Sequence, residues 1–214
     1  MARILGPKCR LCRRDGQKLF LKGTRCETAK CPVSMDSSKR RQRIASPGQH
    51  GAKRSQNSDY GIHLREKQRA KRYYGIMDRQ FKHYFETANK MPGNTGENLL
   101  ILLERRLDNV VYQLKLAPSH SMARQLARHG HITVNNKKVS LPSYLVKAGD
   151  VIKLRKEKST KAVKPHFDIA DKTTMPSWLK IDDTSMEGHV VQLPTRSEVA
   201  LPINEQLIVE FLSR

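Results

Sequence analysis

The stretch 104–157 constrains the fold most, because its apolar residues follow first a helical period and then a strand period. The helical period begins just upstream and predicts one buried stripe on a helix that Pro118 closes. The residues of this stripe are Leu99, Leu103, Leu107, Val110 and Leu114. Ser119 can cap a second helix of about ten residues, and Gly130 stands where a left-handed residue would end it. The expected buried side of the second helix consists of Met122, Ala123 and Leu126.

The second helix also carries basic residues away from its apolar side. Arg124 and Arg128 are four positions apart and therefore share a helical face. Gln125 and His129 lie beside them. Guanidinium groups in this arrangement suit phosphate oxygens, which they bind with two parallel N–H donors. The alternative is an ordinary solvated basic face.

Alternating apolar and polar residues predict a β-hairpin and a further strand after this helix. Asn135 and Asn136 tolerate the positive φ of a tight turn, and a second turn follows at Gly149-Asp150. The apolar strand positions are Ile132, Val134, Val139, Leu141, Ile152 and Leu154. This helix-helix-hairpin unit closely resembles the S-four-type RNA-binding domain, through Ala-Arg-Gln-Leu at 123–126 and Ile-Thr-Val-Asn at 132–135.

The resemblance extends along the whole chain to the bacterial small-subunit ribosomal protein S-four family. The segments that carry it are Gly6-Pro7-Lys8, Pro47-Gly48-Gln49-His50-Gly51, Leu64-Arg65-Glu66-Lys67-Gln68, Leu107-Asp108-Asn109-Val110-Val111-Tyr112 and Ile203-Asn204-Glu205-Gln206-Leu207. Two positions depart from the family pattern. His120 stands where the family usually has Arg, and Asn136 stands where it usually has Gly after the hairpin Asn.

The four cysteines lie within the first 31 residues in the pattern C-x2-C-x13-C-x4-C, at Cys9, Cys12, Cys26 and Cys31. This spacing can bring four thiolates around one metal ion, either zinc or a four-iron four-sulfur cluster. Such a site has no open coordination position and would be structural, holding together a segment too small to fold alone. The alternatives are four unligated thiols or two disulfides. The family resemblance implies zinc.

The expected fold class is α+β. A metal-bound N-terminal segment and a small helical domain precede an S-four-type domain, in which two helices pack on a small, mainly antiparallel sheet. The expected divisions are 1–45 as a four-cysteine basic arm, 46–94 as a helical RNA-binding domain, and 95–195 as a second domain. Residues 196–214 are expected to pack back on the helical domain, and the RNA-binding module to span about 104–165.

The charge of the chain is strongly positive and unevenly distributed. There are 41 Lys and Arg against 20 Asp and Glu, a formal net charge of +21. Residues 165–214 have four basic and eight acidic residues, a net charge of −4, which leaves +25 on residues 1–164. A polyphosphate is the natural partner for such an excess, because neutralising phosphates releases condensed counterions. We therefore expect residues 1–164 to face nucleic acid and the remainder to face protein or solvent.

A membrane partner is not expected, because no long basic amphipathic helix has a strongly apolar opposite face. No apolar run approaches the ~20 residues of a membrane span or resembles a signal peptide, so we expect a cytosolic protein. No glycine-rich phosphate loop, nucleophile elbow or acidic magnesium cluster is visible, so neither catalysis nor a small-molecule substrate is predicted.

The remaining segments give a coarse outline. Helices are predicted from Ser58 to about Tyr74 and from Asp78 to about Met91, and Thr95 is expected to cap the next one. Phe81, Tyr84, Phe85 and Ala88 are expected in a core, with base stacking as the alternative. Residues 34–59 are interpreted as a basic linker and residues 156–164 as a connector. Short strands are predicted at 178–181 and 189–193, and Asn204 as the cap of a last helix. The apolar side of that helix would comprise Leu207, Ile208, Phe211 and Leu212.

The residues that we expect to contact RNA combine these basic faces with the segments that resemble the family. They are Arg3, Lys8, Arg13, Arg14, Gln49, His50, Lys53, Arg65, Lys67, Arg69, Arg72, Arg105, Arg106, His120, Arg124, Arg128, His129 and Lys137. Phosphate contacts and RNA shape would supply most of the binding.

The family resemblance implies a structural protein that binds the five-prime domain junction of small-subunit rRNA and nucleates assembly of the subunit body. It further implies contact with ribosomal protein S-five, a part with S-five and S-twelve in translational accuracy, and a place near the channel through which mRNA enters. An RNA-modifying enzyme with an appended module is the first rival, but it would need a separate catalytic domain. The second rival is a zinc-dependent DNA-binding regulator.

Overall fold

A computed structural model of the chain describes residues 4–33, 46–51, 58–171, 173–199 and 201–213. These residues form eight α-helices, five β-strands and two short 3-10 helices. The chain divides into two compact units: unit 1 comprises residues 1–85 and 203–214, and unit 2 comprises residues 86–202. Two of the expected RNA contacts, Arg3 and Lys53, lie outside the described residues.

The division into units differs from the expected domains at its boundaries. It falls inside a helix, after Phe85, rather than at the Pro92-Gly93-Asn94 turn, and it returns to unit 1 at Ile203 rather than at residue 196. The expected four-cysteine arm is not separated from the rest of unit 1.

Unit 1 is helical. Its elements are α1 (Lys8–Asp15), a 3-10 turn (Gly23–Cys26), α2 (Asp59–Tyr73), most of α3 (Asp78–Asn89) and α8 (Glu205–Ser213). The Ser58 side chain accepts the Gly61 N–H at 3.2 Å and so begins α2, as predicted. The Asn204 side chain accepts the Gln206 N–H at 3.1 Å at the start of α8. Helix α8 packs along α2.

Two aromatic residues of α3 lie in the core, which the sequence favoured over base stacking. Phe81 has no exposed surface and Tyr84 only 6%. Buried rings of this kind have no face to offer a nucleic-acid base, so the core interpretation is confirmed for these two residues.

Unit 2 consists of a five-stranded antiparallel sheet with four helices. The helices are α4 (Thr95–Glu104), α5 (Leu107–Gln113), α6 (His120–Arg128) and α7 (Glu157–Ile169). The strands are β1 (Ile132–Val134), β2 (Lys137–Lys138), β3 (Val151–Leu154), β4 (Leu179–Asp182) and β5 (Glu187–Val190), in the order β2-β1-β3-β5-β4. All four strand pairs are antiparallel. The predicted α+β class is therefore confirmed.

The predicted apolar stripe is buried at every position, yet it lies on two helices rather than one. All five of its residues have 0% exposure. The helix breaks at Arg105–Arg106, because Arg106 forms a β-bridge with Leu145 and the Val146 N–H donates to the Arg105 carbonyl at 2.9 Å. The prediction of a single helix was wrong, because apolar residues on two helices separated by a two-residue break can keep the three- or four-residue spacing of one helix.

Four further local predictions differ from the structure. Asn94 rather than Thr95 caps α4, since its side chain accepts the Gly96 N–H at 2.9 Å. Leu141 is 58% exposed, because β2 ends after two residues. Residues 156–164, expected as a connector, are largely helix α7, which continues to Ile169 and has Pro165 inside it. Strand β5 also begins at Glu187, two residues before the predicted position.

Helix α7 could have been predicted from spacing. Its buried residues recur every fourth position, at Ser159, Val163 and Phe167, and each is between 1% and 6% exposed. The surrounding lysines hid this pattern. Across the described residues no helix is long and apolar enough to traverse a bilayer.

Candidate nucleic-acid interface

A group of exposed basic side chains in unit 2 lies where α6 ends and the first hairpin begins. Arg128 and His129 are exposed at the end of α6, and Lys137 and Lys138 are exposed on β2. Strand pairing places Lys138 opposite Thr133 and Lys137 opposite Val134, on the strand that directly follows α6. We call these four residues the α6 edge.

Gly130 brings the two parts of the α6 edge together. Its φ of +72° is left-handed, and a Cβ at this position would lie 2.4 Å from Lys138 Cε and 3.2 Å from Lys138 Nζ. The Lys138 stem therefore crosses the end of α6 over a backbone position that has no side chain.

The hairpin turn is fixed by side-chain hydrogen bonds. Asn135 and Asn136 have φ of 50° and 62°, the pair of positive values that a tight two-residue turn requires. The Asn135 side chain accepts the Val151 N–H at 2.9 Å and donates to Asp150 Oδ1 at 2.9 Å. Asp150 Oδ2 in turn accepts the Lys147 N–H at 2.8 Å. The turn prediction is confirmed, and Asn136 serves where the family usually has Gly.

Behind the α6 edge, Asp108 on α5 holds two arginines. Arg106 donates to both carboxylate oxygens of Asp108, at 3.0 and 2.7 Å, and is fully buried. Arg124 Nη1 donates to Asp108 Oδ2 at 3.0 Å, and its side chain is 11% exposed. The expectation that Arg106 contacts RNA is corrected here, because its guanidinium has no accessible surface and faces a buried carboxylate.

His120 is likewise part of the interior. It is 6% exposed, its ring lies 4.0 Å from that of Tyr112, and its Nε2 is 3.0 Å from Asn109 Oδ1. Asn109 donates to Glu104 Oε2 at 2.6 Å, so its oxygen is the acceptor for a His120 Nε2–H donor. The structure therefore gives His120 a packing role instead of the expected phosphate contact.

Most basic residues of α2 are bound to acids of unit 1. Lys67 and Lys71 approach Asp78 at 3.4 and 2.8 Å. Arg69 pairs with Glu66 and Arg72 with Asp15. Arg65 is half-buried. The hydrogen bond from Lys71 is the main reason that the pKa of Asp78 lies below its usual value.

The Asp15–Arg72 pair joins α1 to α2. Its carboxylate side chain is 1% exposed, and burial raises the pKa of Asp15 despite the opposing effect of Arg72 and Arg69. Desolvation of the acid thus outweighs its attraction to the two guanidinium groups.

The other expected contacts of unit 1 lie in α1 and in the turn 46–51. Arg14, Gln49 and His50 are exposed, and Arg13 is half-buried. Lys8 donates to the Ile4 carbonyl at 3.2 Å. The turn is tight, because a Cβ on Gly51 would lie 1.7 Å from the Ser46 carbonyl oxygen. In unit 2, Arg105 is half-buried and its Nε donates to the Val146 carbonyl at 3.0 Å.

The four cysteines are thiols, of which Cys12, Cys26 and Cys31 are buried. Burial is the main cause that raises the pKa of Cys12, and the charges of Cys26, Cys9 and Cys31 add to it. The thiols are therefore near enough to interact, and as a donor set they suit zinc. Within the described residues, however, no three Cys, His, Asp or Glu side chains are arranged to hold a metal ion.

Two residues of this region were not predicted from the sequence. One is Lys138, whose side chain lies beside Gly130, a residue with a left-handed φ. The other is Asp108, and its only signal in the sequence is that it is an acid two residues after the basic pair Arg105-Arg106.

Comparisons with known proteins agree with this architecture. Residues 3–104 match the family described as ribosomal protein S4/S9 N-terminal domain, and residues 105–152 match the S4 domain. Proteins named small ribosomal subunit protein uS4 from Thermodesulfovibrio yellowstonii and Acetivibrio thermocellus are each 53% identical to the chain. The protein of that name from Halothermothrix orenii is 52% identical. All three alignments cover 100% of both chains. The chain therefore belongs to the family of small ribosomal subunit protein uS4.

Proposed function

We propose that the chain is a structural, non-enzymatic protein of the small ribosomal subunit that binds small-subunit rRNA through the α6 edge. The observation that carries this proposal is the exposure of Arg128, His129, Lys137 and Lys138 on a hairpin and helix end fixed by hydrogen bonds. Rigid cations lose less conformational freedom on meeting phosphates than cations on a mobile loop.

Single substitutions at the α6 edge test the proposal. Arg128→Ala should weaken binding to a transcript of the five-prime domain of small-subunit rRNA about tenfold to a hundredfold, as expected for a lost charge-assisted hydrogen bond. Lys137→Ala should also weaken it, whereas Lys180→Ala on β4 is the matched control for an exposed strand lysine. Equal affinities for the Lys137→Ala and Lys180→Ala variants would contradict a binding role for this edge.

The finer role follows the family resemblance. It comprises nucleation of the subunit body at the five-prime domain junction, contact with ribosomal protein S-five, a share with S-five and S-twelve in translational accuracy, and a position near the mRNA channel. It also places the protein in the cytoplasm. Reconstitution of the small subunit without this protein should arrest body assembly, and normal assembly in its absence would count against the proposal.

A competition experiment distinguishes this function from that of a DNA-binding regulator. Structured rRNA should displace bound transcript at far lower concentration than duplex DNA of equal length, because the fit is to RNA shape as well as charge. Equal competition by duplex DNA would favour the regulator.

We also propose that Cys9, Cys12, Cys26 and Cys31 bind zinc, with an iron-sulfur cluster as the alternative ligand of the same thiols. Three of the four thiols are buried, and binding of zinc would draw all four into a tetrahedron and release their protons. The ion would cross-link the segment that contains the four cysteines.

Metal content and its dependence on the cysteines test this part. Protein purified anaerobically should contain one equivalent of zinc or one cluster, and Cys26→Ser should lose it while Thr24→Ala, in the same turn, retains it. Absence of both zinc and iron from the unsubstituted protein would remove the metal proposal and leave four reduced thiols.

A further inference from the structure

The buried carboxylate of Asp108 is shared unequally by its two arginines. Arg106 forms a bond to each carboxylate oxygen and has no exposed surface. Arg124 bonds Oδ2 at 3.0 Å and keeps 11% of its side chain exposed. Of the two arginines that contact this carboxylate, Arg124 is therefore the one that reaches the surface.

The carboxylate itself is held rigidly by the backbone. The Asp108 N–H donates to the Pro142 carbonyl at 3.2 Å, and Oδ1 accepts the Asn109 N–H at 3.1 Å. Because Asp108 is 3% exposed, it cannot leave its place to follow a moving arginine. The Arg124 guanidinium is therefore anchored at one nitrogen to a fixed point on a different helix.

Arg124 lies one helical turn before Arg128, so both residues share one face of α6. Arg128 is exposed and belongs to the α6 edge. A phosphate that reaches Arg128 from the solvent side is thus close to the accessible part of Arg124. We propose that Asp108 is a positioning residue, which fixes the orientation of the Arg124 guanidinium so that it binds an rRNA phosphate next to Arg128. This inference rests on the proposed function, the binding of rRNA at the α6 edge.

The role of Arg106 follows from the same geometry. The two bonds from Arg106 hold the Asp108 carboxylate in place and leave part of Arg124 open to solvent. Arg106 thus fixes the carboxylate, and Arg124 is the arginine that binds the phosphate.

The first arm of the test separates orientation from charge. Arg124→Lys keeps the positive charge but lacks the planar guanidinium that can bind a carboxylate and a phosphate at once. If Asp108 acts by orienting Arg124, Arg124→Lys should lose about as much affinity for the five-prime domain transcript as Arg124→Ala, roughly tenfold or more. Affinity close to that of the unsubstituted protein in Arg124→Lys would overturn the proposal, because charge alone would then suffice.

The second arm is a double-mutant cycle. Asp108→Asn should weaken binding in the unsubstituted protein but add little loss in the Arg124→Ala background, since its effect passes through Arg124. Equal losses in both backgrounds would mean that Asp108 supports binding in another way. If Asp108→Asn lowers the thermal midpoint so far that it is unfolded at the assay temperature, the Arg124→Lys arm decides.

Salt dependence excludes a merely structural explanation. Loss of one phosphate contact should reduce the slope of log affinity against log salt by about 0.7 to 0.9, whereas a smaller folded fraction would lower affinity equally at every salt concentration. An unchanged slope in Asp108→Asn would overturn the proposal. Failure of the unsubstituted protein to bind the transcript would instead count against the proposed function itself.

Discussion

Helix α2 and the α6 edge are both rich in cations, but the protein uses them differently. On α2, Lys67 and Lys71 share Asp78 and Lys67 also lies over the Phe211 ring, 4.8 Å from its centroid. These contacts fasten α2 to α3 and to α8. On the α6 edge, Arg128 and Lys137 are exposed beyond a hairpin that needs no help from them to form.

The comparison shows that a basic sequence does not identify a basic binding surface. Breaking the bond between a mostly buried cation and its acid costs free energy that a phosphate contact would have to offset. An exposed side chain on a rigid element meets a phosphate at little cost. Burial therefore distinguishes the cations that hold α2 in the fold from the exposed basic side chains of the α6 edge.

The largest expected effect is on RNA binding. Six to ten phosphate contacts would make the affinity for the five-prime domain transcript fall by about 10³ to 10⁵ between 50 and 200 mM salt. Simultaneous replacement of the α6 edge residues Arg128, Lys137 and Lys138 by Ala should remove about three contacts and lower the affinity roughly a thousandfold. Binding titrations across this salt range measure both quantities.

The matched variant replaces three exposed basic residues in and just after α3, which are Arg79, Lys82 and Lys90. It removes the same charge without touching the α6 edge. If this variant loses as much affinity and as much salt slope, net charge governs binding and the comparison between the two regions fails.

A medium effect is expected on folding. Lys67→Ala should destabilise the protein by about 1–2 kcal/mol, because it removes an ion pair and a cation–π contact from a largely buried position. Urea unfolding measures the change, with the exposed Lys82→Ala on α3 as the control, expected within about 0.5 kcal/mol of the unsubstituted protein. Equal stability of the two variants would mean that Lys67 contributes no more to the fold than an exposed surface lysine does.

The smallest effect concerns pH. Because Lys71 and Lys67 hold the pKa of Asp78 below its ordinary value, ionised Asp78 adds stability that is present above the unfolded-state pKa of about 4. That contribution is lost as the pH falls through the lower folded-state value. Asp78→Asn should therefore narrow the stability difference between pH 6 and pH 3 in urea titrations, and an unchanged difference would show that Asp78 is not held by the lysines in solution.

The sequence predicted best those features that depend on local periodicity. Ser119 and Gly130 delimit α6, and the paired asparagines form the expected turn, because caps and turns are decided by a few neighbouring residues. The break between α4 and α5 was not predicted, since it exists to let Arg106 pair with Leu145, almost forty residues away. Local periodicity carries no information about such a partner.

The site was predicted less well for a related reason. Residue type indicated that Arg106, His120 and Arg128 could all meet phosphate, and type alone cannot separate them. Only packing shows that Arg106 faces Asp108 and His120 faces Asn109, while Arg128 remains exposed. The acid that makes the difference, Asp108, looks unremarkable in sequence because its partner Arg124 lies on another helix.

The packing of α8 on α2 has a consequence for the order in which the chain folds. Ribosomes make residues from the N-terminus onward, so α2 is complete long before its partner at Glu205–Ser213 exists. The whole of unit 2, residues 86–202, is synthesised in between and contains its own core. During synthesis unit 2 can therefore close first, while the face of α2 around Tyr60 and Lys67 waits for Phe211. The part of the protein that is made first is thus the part that is finished last.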